Sequence, residues 1–182
     1  NGTLVYIYRN TSASGTINFD PAITNFTTGS AAYGLAIGDI DGDGMPDLLT
    51  ANFANPNLSI LRNTSTGPGS ITFAAVSSRA STAGLASRSI ALADFNGDGK
   101  LDVLLDNSAT SANVSVFLNK AVSGTIGVGS FSPSITLTAL PASTTQAVAA
   151  GDIDGDGKVD IVAANNTVTV VGVLKNITTN ML

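Results

Sequence analysis

The 182-residue chain contains no cysteine, histidine, tryptophan or glutamate. Without cysteine there is no disulfide framework, and without cysteine or histidine there is no ordinary zinc or iron ligand set. The same two absences remove the usual nucleophile and base pairs, so Ser and Thr have no imidazole to activate them. No glutamate is present to serve as a tuned acid, and the close aspartate pairs all fall in the loops described below, so an enzymatic role is not expected. Basic residues are few: Lys and Arg total 8 and are scattered, against 13 acidic residues, for a net charge of −5. Phosphate binding needs clustered positive charge, so nucleic acid is not an expected partner. No uninterrupted apolar run approaches the roughly 18 residues of a membrane span. The opening NGTLVYIYRN lacks a basic region ahead of an apolar core, so a mature or excised segment is expected, from an extracellular or cell-surface protein.

What the chain does have is repetition. GDIDGDGMPDLLTAN runs over 38–52, ADFNGDGKLDVLLDN over 93–107 and GDIDGDGKVDIVAAN over 151–165. Each acidic loop is followed by a short alternating segment ending in Asn: NLSILRN at 57–63, NVSVFLN at 113–119 and VVGVLKN at 170–176. LVYIYRN at 4–10 has the same phase, so the sequence opens within a repeat. Self-similarity at this spacing signals stacked supersecondary units. Within a unit, runs of four to seven residues rich in Val, Ile, Leu, Thr and Phe are divided by Gly, Asn, Asp, Ser or Pro, which is strand and turn chemistry. GLAIGDI and PDLLTAN read as antiparallel partners joined by the acidic loop, and no segment carries a helical stripe.

Carboxylates held 4 to 6 Å apart repel by roughly 3 to 4 kcal/mol per pair at an effective dielectric near 20. A hard cation reverses that sign, because oxygens at alternating positions wrap it while glycine permits the turn. Counted from the first aspartate, positions one, three, five and nine offer side-chain oxygens and position seven a backbone carbonyl. The ligand sets are Asp39, Asp41, Asp43, Met45 and Asp47; Asp94, Asn96, Asp98, Lys100 and Asp102; and Asp152, Asp154, Asp156, Lys158 and Asp160. Eleven of the 13 acidic residues are used in this way, all but Asp20 and Asp106. Five protein donors plus water favour Ca2+ over Mg2+ at each of three sites. Asn96 keeps an oxygen but removes a charge, so the middle site is expected to be weaker. An EF-hand or dockerin loop is not expected: position twelve is Thr50, Leu105 or Ala163 rather than Glu, and the flanks are strand-like.

The pattern D-[IF]-[DN]-G-D-G-x-x-D-[LVI], followed by an alternating segment such as SVFLN and a Gly-rich turn before Phe, resembles the FG-GAP/VCBS repeat. That resemblance implies blades of integrin α-type β-propellers, four antiparallel strands per repeat, with calcium bound between the first two strands. The expected fold is all-β, a tandem of blades within a single repeat domain over 1–182. Residues 3–26 supply the last two strands of a blade, 31–86 the first repeat, 87–143 the second, and 144–178 a third without its outer strand. Closed propellers have four to eight blades, so three arrangements stay open: a fragment of a larger propeller, a ring completed by further copies, or chains joined head to tail into a fibre. A heterologous contact that does not close gives a filament.

Sequons begin at Asn1, Asn10, Asn25, Asn57, Asn63, Asn113, Asn165 and Asn176, eight of sixteen asparagines. Their recurrence at strand ends predicts an exposed rim and a glycan coat. The functional expectation is a calcium-binding extracellular structural or adhesive repeat protein. The alternatives are a larger propeller that binds carbohydrate or protein ligands and an accessory domain of an extracellular enzyme. Sugar-binding faces normally carry aromatics, and here ten Phe and Tyr fall mostly at strand phases that suit core packing.

Overall fold

The computed structural model describes residues 3–21, 24–29, 31–54, 58–75, 77–79, 86–108, 113–139, 144–165 and 169–179, with Arg79, Asn113 and Val128 described by backbone alone. Among these residues, β-branched and leucine-rich runs separated by turn residues become thirteen strands in four antiparallel sheets. The first sheet pairs β1 (Leu4–Ile7) with β2 (Thr24–Thr27). The second is β3 (Ala32–Gly38), β4 (Asp47–Asn52), β5 (Leu58–Leu61) and β6 (Ser77–Arg79), in chain order across the sheet. The third repeats it with β7 (Ile90–Ala93), β8 (Asp102–Asn107), β9 (Asn113–Phe117) and β10 (Ile135–Thr138). The fourth is β11 (Thr145–Gly151), β12 (Asp160–Asn165) and β13 (Val171–Leu174). A 3-10 turn at Val128–Ser130 is the one helical element among the described residues. The all-β expectation of tandem blades therefore holds, and the set is open.

Register follows the repeat. The acidic loops join the first two strands of each of these sheets, so that Gly38 faces Asp47, Ala93 faces Asp102 and Gly151 faces Asp160. In three of the four alternating segments the closing asparagine forms an isolated bridge to a phenylalanine: Asn10 to Phe19, Asn63 to Phe73, Asn119 to Phe131. Polar pairs tie the inner strands together deep in the sheet, with Asn52 Nδ2 on Ser59 Oγ at 2.8 Å and Asn107 Nδ2 on Ser115 Oγ at 3.0 Å. At the matching place in the fourth sheet stands Gly172, and Asn165 Nδ2 donates to the Val170 carbonyl instead.

The core lies between sheets. Leu49, Leu58 and Ile60 of the second sheet pack with Val103, Leu105 and Phe117 of the third, and Ile90 and Leu92 on β7 close over them. One sheet further on, Leu104, Val114 and Val116 pack with Ile161 and Ala163, closed over by Val148 and Ala150 on β11. Strands β4 and β8 are buried at all six positions because each has a sheet on either face. This explains their continuous apolar runs where a one-sided sheet would alternate. At full burial, each such Leu, Val or Phe contributes roughly 1.5–3 kcal/mol.

Candidate metal centre

All three loops adopt one conformation, written in their hydrogen bonds. The first aspartate accepts from the amides at positions five and six: Asp39 from Asp43 and Gly44, Asp94 from Asp98 and Gly99, Asp152 from Asp156 and Gly157. The third-position side chain accepts from the fifth amide, and the fifth from the seventh, as in Asp41 to Asp43 and Asp43 to Met45. Asn96 reproduces the third-position bond through its Oδ1, at 3.0 Å from the Asp98 amide. The backbone can wind this tightly because positions four and six have positive φ, +70° and +87° at Gly42 and Gly44, and every one of the six is glycine.

The carboxylates come together as the spacing implies. Asp39, Asp41 and Asp43 each place an oxygen within 4.8 Å of the others, and Asp152, Asp154 and Asp156 do the same. In the middle loop Asp94, Asn96 and Asp98 share that backbone, and Asn96 Nδ2 donates to Asp98 at 3.2 Å. The seventh residues Met45, Lys100 and Lys158 enter the turn through their amides. Lys100 sends its ammonium to the Ala121 carbonyl at 2.9 Å, leaving the loop's carboxylates to one another.

The ninth aspartate, a ligand candidate by spacing, accepts from two backbone amides. Asp47 is fully buried and accepts from the Ile40 amide at 2.9 Å and the Asn63 amide at 2.8 Å. Asp102 does the same with Phe95 and Asn119, and Asp160 with Ile153 and Asn176. It therefore clamps the loop to the end of the third strand, outside the clusters of three. Burial raises the Asp47 and Asp102 carboxyls above the usual range, partly offset by the two amides each accepts from. Spacing alone shows a fourth oxygen in the loop; of the two amides that face it, one belongs to the loop's own second residue and the other to a strand end sixteen or seventeen residues away.

Cationic side chains reach two of the clusters. Arg62 bonds Asp41 at 2.6 Å and also Asp43, and Lys175 bonds Asp154 and lies 3.3 Å from Asp156. These contacts raise the Arg62 and Lys175 pKa values and lower that of Asp154. The position corresponding to Arg62 and Lys175 beside the middle loop is Leu118, so the loop with one carboxylate fewer also has one cation fewer. Counting positions one, three and five with that residue, each loop carries a net −2. The sequence shows both substitutions, but only the sheet reveals that they face each other.

The strand-end asparagines are structural. Asn119 Nδ2 donates to Leu101 of its own sheet at 3.0 Å and to Ile40 of the preceding sheet at 2.7 Å. Asn176 Nδ2 likewise reaches Val159 at 3.1 Å and Phe95 at 2.9 Å. Asn63 Nδ2 bonds Pro46 within its own sheet. Asn63, Asn165 and Asn176 are thus half-buried with the amide nitrogen engaged, whereas Asn10 and Asn25 are exposed. Asn1, Asn57 and the Asn113 side chain lie outside the described residues.

A family model for the FG-GAP-like repeat matches residues 1–50, 44–105 and 107–163. Its unit runs from one acidic hairpin to the next, taking the outer part of one sheet with the inner hairpin of its successor. Comparison with curated proteins gives no match. Three matches spread over most of the sequence, coinciding with three loops of one geometry, place the chain in the FG-GAP-like repeat family.

Proposed function

We propose that this chain is a calcium-stabilised structural repeat module, in which one Ca2+ per loop offsets the carboxylates gathered at positions one, three and five. The observation that carries the reading is the triple recurrence of one wound loop that draws oxygens together, within 4.8 Å in the first and last loops. The donors are all hard oxygens, which suits Ca2+ chemistry. Asp39, Asp41 and Asp43 would hold one ion, Asp94, Asn96 and Asp98 a second, and Asp152, Asp154 and Asp156 a third, with the carbonyls of Met45, Lys100 and Lys158 as further donors. The buried ninth aspartates Asp47, Asp102 and Asp160 hold the loop in shape around it. An ion supplies positive charge that fixes the hairpin, and nothing in this role requires catalysis.

An extracellular setting fits this reading, since calcium there is abundant enough for modules with dissociation constants of roughly 10⁻⁴ to 10⁻³ M. Among the described residues, Asn25 and, in the unassembled chain, Asn10 are the sequons with exposed side chains open to a glycan. In such a setting the module serves as structure or adhesion. Calorimetry tests the metal: millimolar Ca2+ should raise the melting temperature above that in excess EGTA, and identical transitions would remove the ion from the account. Isothermal titration should count three sites.

A further inference from the structure

Two surfaces at opposite ends of the stack match each other through the repeat. On β7, Ile90 and Leu92 are covered by the preceding sheet. Their equivalents on β3, Leu35 and Ile37, are 51% and 65% exposed and line an open crevice of about 550 Å³ beside β1. The first sheet covers that side with only two strands, and the inner edge of β1 has no strand beside it among the described residues. At the far end Ile153 is 60% exposed, although its counterparts Ile40 and Phe95 are 2% and 9% exposed beneath the following sheet.

The polar groups show the same mismatch. Asn119 and Asn176 each reach the second-position carbonyl of the preceding sheet's loop, Ile40 and Phe95 respectively. Asn63 Nδ2 makes only the bond to Pro46, within its own sheet, among the described residues. The carbonyl that continues the series is that of Ile153. Arg9 and Asn10 align with Lys175 and Asn176, which hold the last loop; Arg9 instead makes an exposed pair with Asp20 at 3.0 Å.

We infer that the occupant of the crevice is the fourth sheet of a second copy of this chain, with β1 of one copy taking the place of β13 on β12 of the other. The resulting sheet, β11–β12 of one copy and β1–β2 of the next, has the four-strand order of the second and third sheets. Exchange preserves the number of ladder hydrogen bonds, and the gain is cover for Leu35, Ile37 and Ile153. It favours β1 because Tyr6 stands where β13 has Gly172, which packs nothing and weakens a strand. Arg9 replaces Lys175 over Asp154 and Asp156 with a guanidinium fork suited to paired carboxylates. The Asn10 amide replaces that of Asn176 on Asp160, and Asn63 gains the Ile153 carbonyl. Each copy presents both surfaces, so association propagates head to tail.

In the register of β12 with β13, Val162 faces Val173, so exchange sets Ile7 of the neighbouring copy opposite Val162. Because the native chain has no cysteine, an Ile7→Cys/Val162→Cys variant gives a clean readout under mild oxidation. A ladder of covalent multimers, with sedimentation of the native chain shifting to larger species as concentration rises, is the expected result. Ile37→Asp should retain the fold by circular dichroism and lose the larger species. A chain that stays monomeric at millimolar concentration overturns the inference, as does association without intermolecular cross-links. Running each arm in Ca2+ and in EGTA keeps it separate from the metal reading, since calcium-independent melting with an intact ladder would sink only the latter.

Discussion

Single residues divide the acidic set into two jobs. The ninth aspartates satisfy two backbone amides in a buried place, and losing that acceptor strands both donors at roughly 1–3 kcal/mol each. Asp102→Ala should therefore destabilise the fold by about 3 kcal/mol with or without calcium, measured by urea unfolding. Asp98→Asn should instead leave the EGTA curve almost unchanged and reduce the gain seen on adding calcium. Arg62 competes with any ion in its loop, so Arg62→Leu should tighten calcium binding there by several-fold, and Leu118→Arg should weaken the middle site similarly, read by titration calorimetry. Asp106 stands apart from the loops. It is fully buried, accepts from the Arg88 and Ser89 amides, and its Oδ2 has no partner among the described residues. Burial pushes its carboxyl up to about 6 from 3.8. The folded state then holds the proton more tightly than the unfolded chain, so this group favours unfolding above pH 6, and the effect fades as pH falls toward 3.8. Relative to Asp106→Asn, the native chain should gain on the order of 2 kcal/mol between pH 7.5 and 4.5, seen in paired denaturation curves.

At the scale of elements, the loop and the third-strand asparagine form one device. Glycines at positive φ wind the loop, the ninth aspartate pins it to the third strand, and the asparagine ties that strand to the sheet before it. Gly99 has φ +83°, so Gly99→Ala should cost roughly 1–2 kcal/mol through backbone strain alone, since a methyl there meets open space. The hairpins, their register and the shared phase of LVYIYRN were legible because turn residues and alternation are local. The asparagine's work was not. Asn63 and Asn176 read as sequons on a rim and Asn119 as the plain end of a strand, yet these amides face carbonyls up to 81 residues away in sequence, as Asn176 does with Phe95. Only the stacking of one sheet on another brings such groups into contact.

The whole molecule is a short stack in which each sheet is stabilised by its neighbours. Protection from hydrogen exchange should accordingly be highest in β4, β5, β8 and β9, and lowest in β1, β2 and β13, when measured on the unassembled chain. Val173 on β13 is 54% exposed, whereas Ile60 and Val116 at the equivalent place are 2% and 5% exposed. The sequence by itself determined the all-β repeat, the three wound loops and the oxygens offered to a cation, because these depend on residue types a few positions apart. Tertiary structure alone decided which aspartates clamp amides, which loops have a cation beside them and which faces lie open. Those outcomes depend on donors, charges and apolar surface contributed by a different strand or a different sheet, whose approach no local spacing encodes.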